Sequence, residues 1–429
     1  MEQAEQQVVY PPNDLIRECF SFLPVKDVIR NRMLSQDFNS MLTDNSFVDL
    51  HRFRSAKNKI LVKEVYGSSY LRYFEKTDDG IKDNIDIDGN MNDNTEIYGG
   101  FQCDLEPGWL PVTSCHGIVC CIKRVRKRIY EEVPRERQWI PHNQFHLKMQ
   151  AHLYAGEPHP LAKVIDRRLI RTEEGYQFRF ENPATREFSP ISALLDSKTA
   201  CRNPLIGFGF DHIHSVYKLV VLLPAGGGRV LTRVFDLGSN EWRTVNQSFP
   251  GTPLLNTRDY GQIEFIKNGA FLNGSLNWLA LSGNILICVC FDLAAETYSR
   301  KNLPRNTNIK NPNIGVLNNR ISFTYFSKGS RSFKIWRQEQ EDNDGWMQLA
   351  RIGLQELSMS DREYESFGVP LLLIDISNTN TLVLVRTRHR NSMVFYNFTE
   401  QAVVGSHEFE AGRITWVDDS SFVESLVSP

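Results

Sequence analysis

Four stretches combine residue types that could bind an ion, a phosphate or a nucleic acid, and each breaks down on spacing or surroundings. Asn84, Asp86, Asp88 and Gly89 imitate the start of a calcium loop, but Thr95 stands at the twelfth position, where a bidentate Glu is required. A solvated polar loop is the expectation there. His142 and His146, with His152 nearby, would share one helical face able to hold a metal. The residues between them lack the Glu of a zinc peptidase, and Pro141 stands just ahead. "PAGGGRV" at 224–230 has the glycines of a phosphate cradle without a following Lys-Ser/Thr or helix, so it reads as a hairpin turn. "KRVRKR" at 123–128 could attract an acidic partner or nucleic acid, or act as a nuclear address, but the acidic residues of "EEVPRE" partly cancel its field. No metal and no cofactor is expected. Nor does any GxSxG, Cys/His pair or paired-carboxylate motif point to catalysis.

Composition agrees with a non-catalytic, intracellular chain. The 429 residues, 41% hydrophobic and 23% charged, suit one large domain plus a small one. Forty-nine Lys and Arg against fifty-one Asp and Glu leave a net charge of -2, so no bulk field favours nucleic acid or an anionic membrane. The eight cysteines form no CxxC pair, which implies free thiols in a reducing compartment. The first residues lack the basic start and apolar run of a signal peptide, and no stretch reaches membrane-spanning length. Cytoplasm, nucleus or both is the expected location, with the sequons at Asn246, Asn273 and Asn397 unoccupied.

The elements that would position any partner fall into two kinds. Near the N terminus, Leu15, Ile16, Cys19, Phe20 and Leu23 make a helical stripe with Asn13 as its expected cap, and Pro24 stops it. Val25, Val28, Ile29 and Met33 make a second stripe; Phe38, Met41 and Leu42 make a third behind Ser35, a candidate N-cap. Three short helices are implied. They would either cap the core of the larger domain or complete their own core on a partner, and so small a module with such wide stripes favours a partner.

The remainder reads as strands. "FRFENPATREF", "VFDLGSNEW" and "CFDLAAETY" each show a strand, a short polar turn and an aromatic that could pack back on the sheet: Phe180 and Phe188, Phe235 and Trp242, Phe291 and Tyr298. Fainter copies surround Trp336, Trp346 and Phe395. With several strands per unit and a period of about 45 to 60 residues, the pattern argues for a β-propeller. Gly207, Gly209 and Gly274 are expected where positive φ or close strand approach is needed, and Trp242, Trp278 and Trp336 as fillers between blades.

Both halves resemble one known family. Asp14, Leu15, Glu18, Leu23, Pro24, Val25, Lys26, Arg30, Ser35, Ser40, Asp44, Phe47 and His51 fall in register with the F-box of the large plant F-box families. Pro11, Asn31, Gln36 and Phe38 depart from that pattern. "CHGIVCC" (Cys115, Gly117, Val119, Cys120), "NPATREF" from Asn182, "GFGFD" from Gly207, "GAFLNGSLNWLA" with Asn277 in a usual His position, and the closing "FVESLVSP" resemble the F-box-associated, kelch-like domain, in the family's order.

The resemblance implies a mainly β chain. A small all-α F-box of three short helices at 8–52 would precede a transition segment at 53–110, with a polar loop at 77–96. A propeller-like domain of roughly six to eight blades would follow at 111–429, carrying a long insertion at 122–179 that is a natural place for specificity. By resemblance, the protein is the substrate-recognition subunit of a Skp-cullin-F-box (SCF) ubiquitin ligase. Its head would dock on a Skp-type adaptor, and through it a cullin, while the propeller holds an unknown protein marked for ubiquitination. The docking residues implied are Pro12, Leu15, Ile16, Phe20, Leu23, Pro24, Val25, Val28, Ile29, Met33 and Phe38. The alternative is a protein- or carbohydrate-binding propeller that works without a ligase.

Overall fold

In the computed structural model, the described residues are 12–55, 59–66, 68–77, 80–82, 102–134, 165–189, 193–196, 204–224, 229–254, 269–304, 309–339, 345–357, 375–376, 381–386, 392–397, 399–408, 413–417 and 422–429. The chain opens with four helices: α1 (Asn13–Phe20), α2 (Val25–Arg32), α3 (Gln36–Thr43) and α4 (Asn45–Arg54). Prolines start the first two, since a missing N–H is harmless in a first turn. Pro12 and Pro24 are the N-caps, so Asn13 is the first helical residue rather than a cap. Ser35 caps α3 as expected, its hydroxyl accepting the Phe38 N–H at 3.1 Å. Asp44 caps α4 by accepting from the Ser46 amide at 3.2 Å.

The fourth helix corrects the expectation of three. Its stripe is hidden because a polar residue occupies a core position: His51 is 2% exposed. That burial is tolerated because the ring Nε2 pairs with the Leu23 carbonyl at 2.8 Å, tying α4 to the end of α1. The head's core is Val25, Val28, Leu42 and Phe47, with Phe20, Leu23, Ile29, Phe38, Met41 and Val48 packed around it.

Among the described residues the rest of the chain makes six sheets, each built mostly from strands that pair with their neighbours in the chain. Sheet 1 holds Lys59–Tyr66, Ser68–Thr77, Gly80–Lys82 and Gln102–Leu105. Segment 53–110, read from sequence as a transition, therefore carries strands. Sheet 2 is Leu110–Cys115, Ile118–Pro134, Ile165–Asn182 and Glu187–Phe188, with Ala193–Asp196 alongside. Sheet 3 is Leu205–Asp211, Val216–Pro224, Val230–Asp236 and Glu241–Val245. Sheet 4 is built on Ser275–Ser282, Ile285–Asp292 and Thr297–Asn302, with the short strands Thr252–Pro253 and Ala270–Leu272. Sheet 5 runs Ile309–Leu317, Arg320–Ser327, Ser332–Gln338 and Trp346–Gly353; sheet 6 runs Asp375–Ile376, Thr381–Arg386, Ser392–Asn397 and Ala402–Glu408.

From sheet 1 to sheet 6, successive sheets pack apolar faces together. Leu61 and Leu71 meet Val119 and Cys121 between sheets 1 and 2. Phe180 lies 5.2 Å from the Phe208 ring between sheets 2 and 3. Val220 and Val234 meet Leu276 and Trp278, Cys288 meets Phe323, and Ile335 meets Tyr396 across the next three seams. The strand Arg413–Val417 returns to pair with Lys59–Tyr66, with Val62 opposite Val417. The last strand of the chain is thereby built into the first sheet, and the radial repetition of small antiparallel sheets is a β-propeller. Glycines permit the close seams: a Cβ on Gly207 would stand 2.6 Å from the Trp278 ring.

The recurring polar turn has one chemical basis. Oδ1 of Asn182, Asp211, Asp236, Asp292 and Asn397 accepts the amides two and three residues on. The residue four after each has positive φ: Arg186, Ser215, Asn240, Glu296 and Gln401. These Asx turns reverse the chain without glycine. The next strand then sets Trp242 opposite Phe235 and Tyr298 opposite Phe291. Phe188 departs from the expectation, being 62% exposed.

Residues 124–177 and 194–200 form a second compact unit. Within it, a Cβ on Gly175 would lie 2.9 Å from the Leu195 carbonyl oxygen, so the Ala193–Asp196 strand needs the glycine beside it.

Candidate functional site

The residues expected to dock divide by exposure. Pro12, Leu15, Pro24 and Met33 are exposed, Leu15 by 56% and Met33 by 85%. Ile16, Phe20, Leu23, Ile29 and Phe38 are half-buried, and the Phe20 and Phe38 rings meet at 5.5 Å inside the head. Val25 and Val28 are 1% and 0% exposed and belong to the core. They support the exposed residues around them and offer no surface of their own. Asn31, one of the departures from the family pattern, is satisfied within its own helix by donating to the Asp27 carbonyl at 2.7 Å.

Sequence reasoning missed Phe22, Leu34 and Phe53, which are 69%, 65% and 88% exposed. Phe22 lies one turn past Cys19 and two past Leu15, so the three follow one helical edge and the turn after it. Its ring is held under the Arg54 guanidinium, 4.4 Å from the centroid, and Arg54 is itself fixed by Glu18 and Ser21. The outer face is thus apolar and partly preorganised by charge. Beside it, the Ser46 hydroxyl bond, opposed by partial desolvation, holds the Asp44 carboxyl below its usual range, with Arg17 adding to the same effect.

The inner side of the head meets the propeller. Arg52 pairs with Asp49 at 2.9 Å and with Nδ1 of His116 at 2.9 Å, and lies 5.9 Å over the Phe210 ring. His116 in turn contacts the Tyr217 hydroxyl at 3.2 Å. Burial above all pushes the Tyr217 phenol up, so it stays protonated at any physiological pH. The head core also takes in Leu426 from the C-terminal segment and Ala184 from the turn of sheet 2. The head thus completes part of its core on its own chain, which is the first of the two arrangements expected for it, while the partner favoured from sequence is not needed for that part.

Deeper in the propeller, the polar groups form ties between sheets. Lys218, on sheet 3, reaches Asp211 at 2.8 Å, the Leu293 carbonyl at 2.6 Å and Glu296 at 3.2 Å. Glu296 also accepts from Arg243 Nε at 2.9 Å. Burial pushes the Cys288 thiol up to about 12 and raises Cys120 further, so neither is a nucleophile at neutral pH. Among the described residues, no group of three or more His, Cys, Asp or Glu could hold a metal. Asn84 to Thr95, His142, His146, His152, the glycines of 225–228 and the side chains of 126–128 lie outside the described residues.

With this geometry in place, comparison with known proteins is informative. The family model for the F-box associated beta propeller domain matches residues 118–411. An F-box/kelch-repeat protein of Arabidopsis thaliana is 21% identical over 367 residues, covering 82% of this chain and 83% of the relative. Two further Arabidopsis relatives with F-box names align over shorter stretches. One is 25% identical over 166 residues, or 38% of this chain and 40% of the relative; the other is 31% identical over 156 residues, or 35% and 33%. The chain therefore spans less than half the length of those two relatives.

Proposed function

Because the chain belongs to the F-box associated beta propeller domain family, we propose that it is the substrate-recognition subunit of an SCF-type ubiquitin ligase. In this reading each of the six sheets is one blade. The helical head docks on a Skp-type adaptor, the propeller holds the target protein, and the chain performs no catalysis itself. It supplies proximity, which converts an encounter between target and ubiquitin-charged subunits into a local event. The work is assigned to the cytoplasm, nucleus or both. Among the described residues no helix is long and apolar enough to cross a membrane.

The observation that carries the reading is the outer face of the head. Leu15, Phe22, Met33 and Leu34 stay exposed although the core beneath them is closed. Large apolar side chains held outward on a packed support are what an interface core needs, each worth on the order of 1–2 kcal/mol once covered. The test is co-expression of the full chain with a Skp-type adaptor and size-exclusion chromatography, beside the Leu15→Asp, Met33→Asp variant. These positions are chosen because Val25 and Val28 are core, so charge there would unfold the head. Wild-type co-elution that the variant loses, with both chains melting within about 1 kcal/mol of each other, is expected. A folded wild-type chain that never co-elutes overturns the reading in favour of a ligase-independent binding propeller, which the partly self-completed head core would suit.

A further inference from the structure

The Asx turns of the propeller need one acceptor oxygen, and Asp supplies it at 211, 236 and 292. At 182 the residue is Asn, and its extra amide is in use. Asn182 Nδ2 donates to the Ser425 carbonyl at 2.9 Å and to the Val427 carbonyl at 2.7 Å. The turn therefore grips the backbone of segment 422–429 with a group an Asp would lack. Three other features meet the same segment. Ser425 is fully buried and its hydroxyl donates to the His116 carbonyl at 2.6 Å. Gly117, at φ +85, leaves room for it: a Cβ there would lie 2.6 Å from the Val423 carbonyl oxygen. Leu426, 4% exposed, fills the head core between Val28 and Phe47, while Phe422, 1% exposed, is anchored in the seam of sheets 1 and 2.

We propose that segment 422–429 is a latch: anchored in the propeller at Phe422 and gripped by Asn182, it inserts Leu426 into the helical head and makes the head's order depend on the propeller. The head lacks a full core of its own, and the latch supplies the missing side. Head and propeller then move as one body, so a partner bound to the outer face of the head stands at a set position relative to the propeller. The latch is independent of what that partner is.

Amide hydrogen exchange on the full-length chain tests it, with Asn182→Asp and Leu426→Ala. Asn182→Asp keeps the turn's acceptor oxygen but replaces the grip with a carboxylate set against two carbonyls, which repels the segment. Exchange of α2 to α4 is expected to rise about tenfold in Asn182→Asp and further in Leu426→Ala, with sheets 3 to 5 unchanged. Head protection equal to wild type in both variants overturns the latch, because the head then stands alone. Equal loosening of head and sheets 3 to 5 also overturns it, because the segment is then ordinary core. If Leu426→Ala does not fold, the milder Asn182→Asp decides by the same readout.

Discussion

In the propeller, sheets 1 to 6 pack apolar faces in succession, and among the described residues the exposed large hydrophobics are scattered along the chain: Leu110, Phe188, Ile213, Ile285, Met347 and Val404. Single exposed residues of this kind are ordinary. In the head, four short helices leave Leu15, Phe22, Met33, Leu34 and Phe53 outside. The contrast follows from geometry. Stacked sheets cover one another's faces, whereas the head has one side that meets the propeller and the 422–429 segment and, among the described residues, apolar side chains that stay uncovered. Cohesion differs too. The propeller adds buried charge ties such as Asp211–Lys218 to its apolar seams, while the head relies on caps, a buried histidine and a borrowed leucine.

The largest effects should come from emptying either core, and they should differ in reach. Trp278→Ala and Phe47→Ala each remove a ring less than 2% exposed and should each cost about 3–5 kcal/mol. Thermal melts followed by far-UV circular dichroism should show the sheet transition falling in the first variant. In the second, only helical signal should be lost early. A matching drop of the sheet transition in Phe47→Ala would break the comparison and make the chain a single cooperative unit.

A somewhat smaller effect is expected at the Asp211–Lys218 pair inside sheet 3, which holds the lysine that reaches sheet 4. Burial opposes ionisation of Asp211, but bonds from Lys218 and His214 outweigh it and hold the carboxyl well below its usual range. A carboxylate lowered in the folded state stabilises above its unfolded pKa of about 3.9, and that stability fades as pH falls toward the folded value. Asp211→Ala should therefore cost about 3 kcal/mol near neutrality and much less at acid pH. Denaturant melts at pH 7 and pH 3 measure the difference; a pH-independent loss would assign Asp211 to its Asx turn and not to the charge tie. The smallest effect is Ser35→Ala, which removes the α3 cap and should cost about 1 kcal/mol. Hydrogen exchange should localise it to the head, and spread into sheets 3 to 5 would again erase the distinction between the regions.

Much of this arrangement was legible in the residues. The Asx turns are five-residue features, so Asp236 and Asp292 announce them wherever they occur. Pro24 and Ser35 mark helix starts for equally local reasons. The fourth helix was hidden because His51 interrupts its stripe, and only its bond to the Leu23 carbonyl, 28 residues away, makes a buried polar residue acceptable. The exposed apolar face of the head was half legible. Val25, Val28 and Met33 share one apolar stripe, yet two are core and the third is 85% exposed.

The sequence by itself determined what depends on near neighbours: helix starts, turn chemistry, strand alternation, the blade-length period and the family those motifs resemble. Tertiary structure decided what depends on residues far apart in the chain. It chose which side of each helical stripe is covered, paired Lys218 with Glu296, built Arg413–Val417 into the first sheet and carried Leu426 to the head. The reason is physical: periodicity records that a side chain is apolar and which way it faces its own helix or strand, whereas burial depends on what folds back against it.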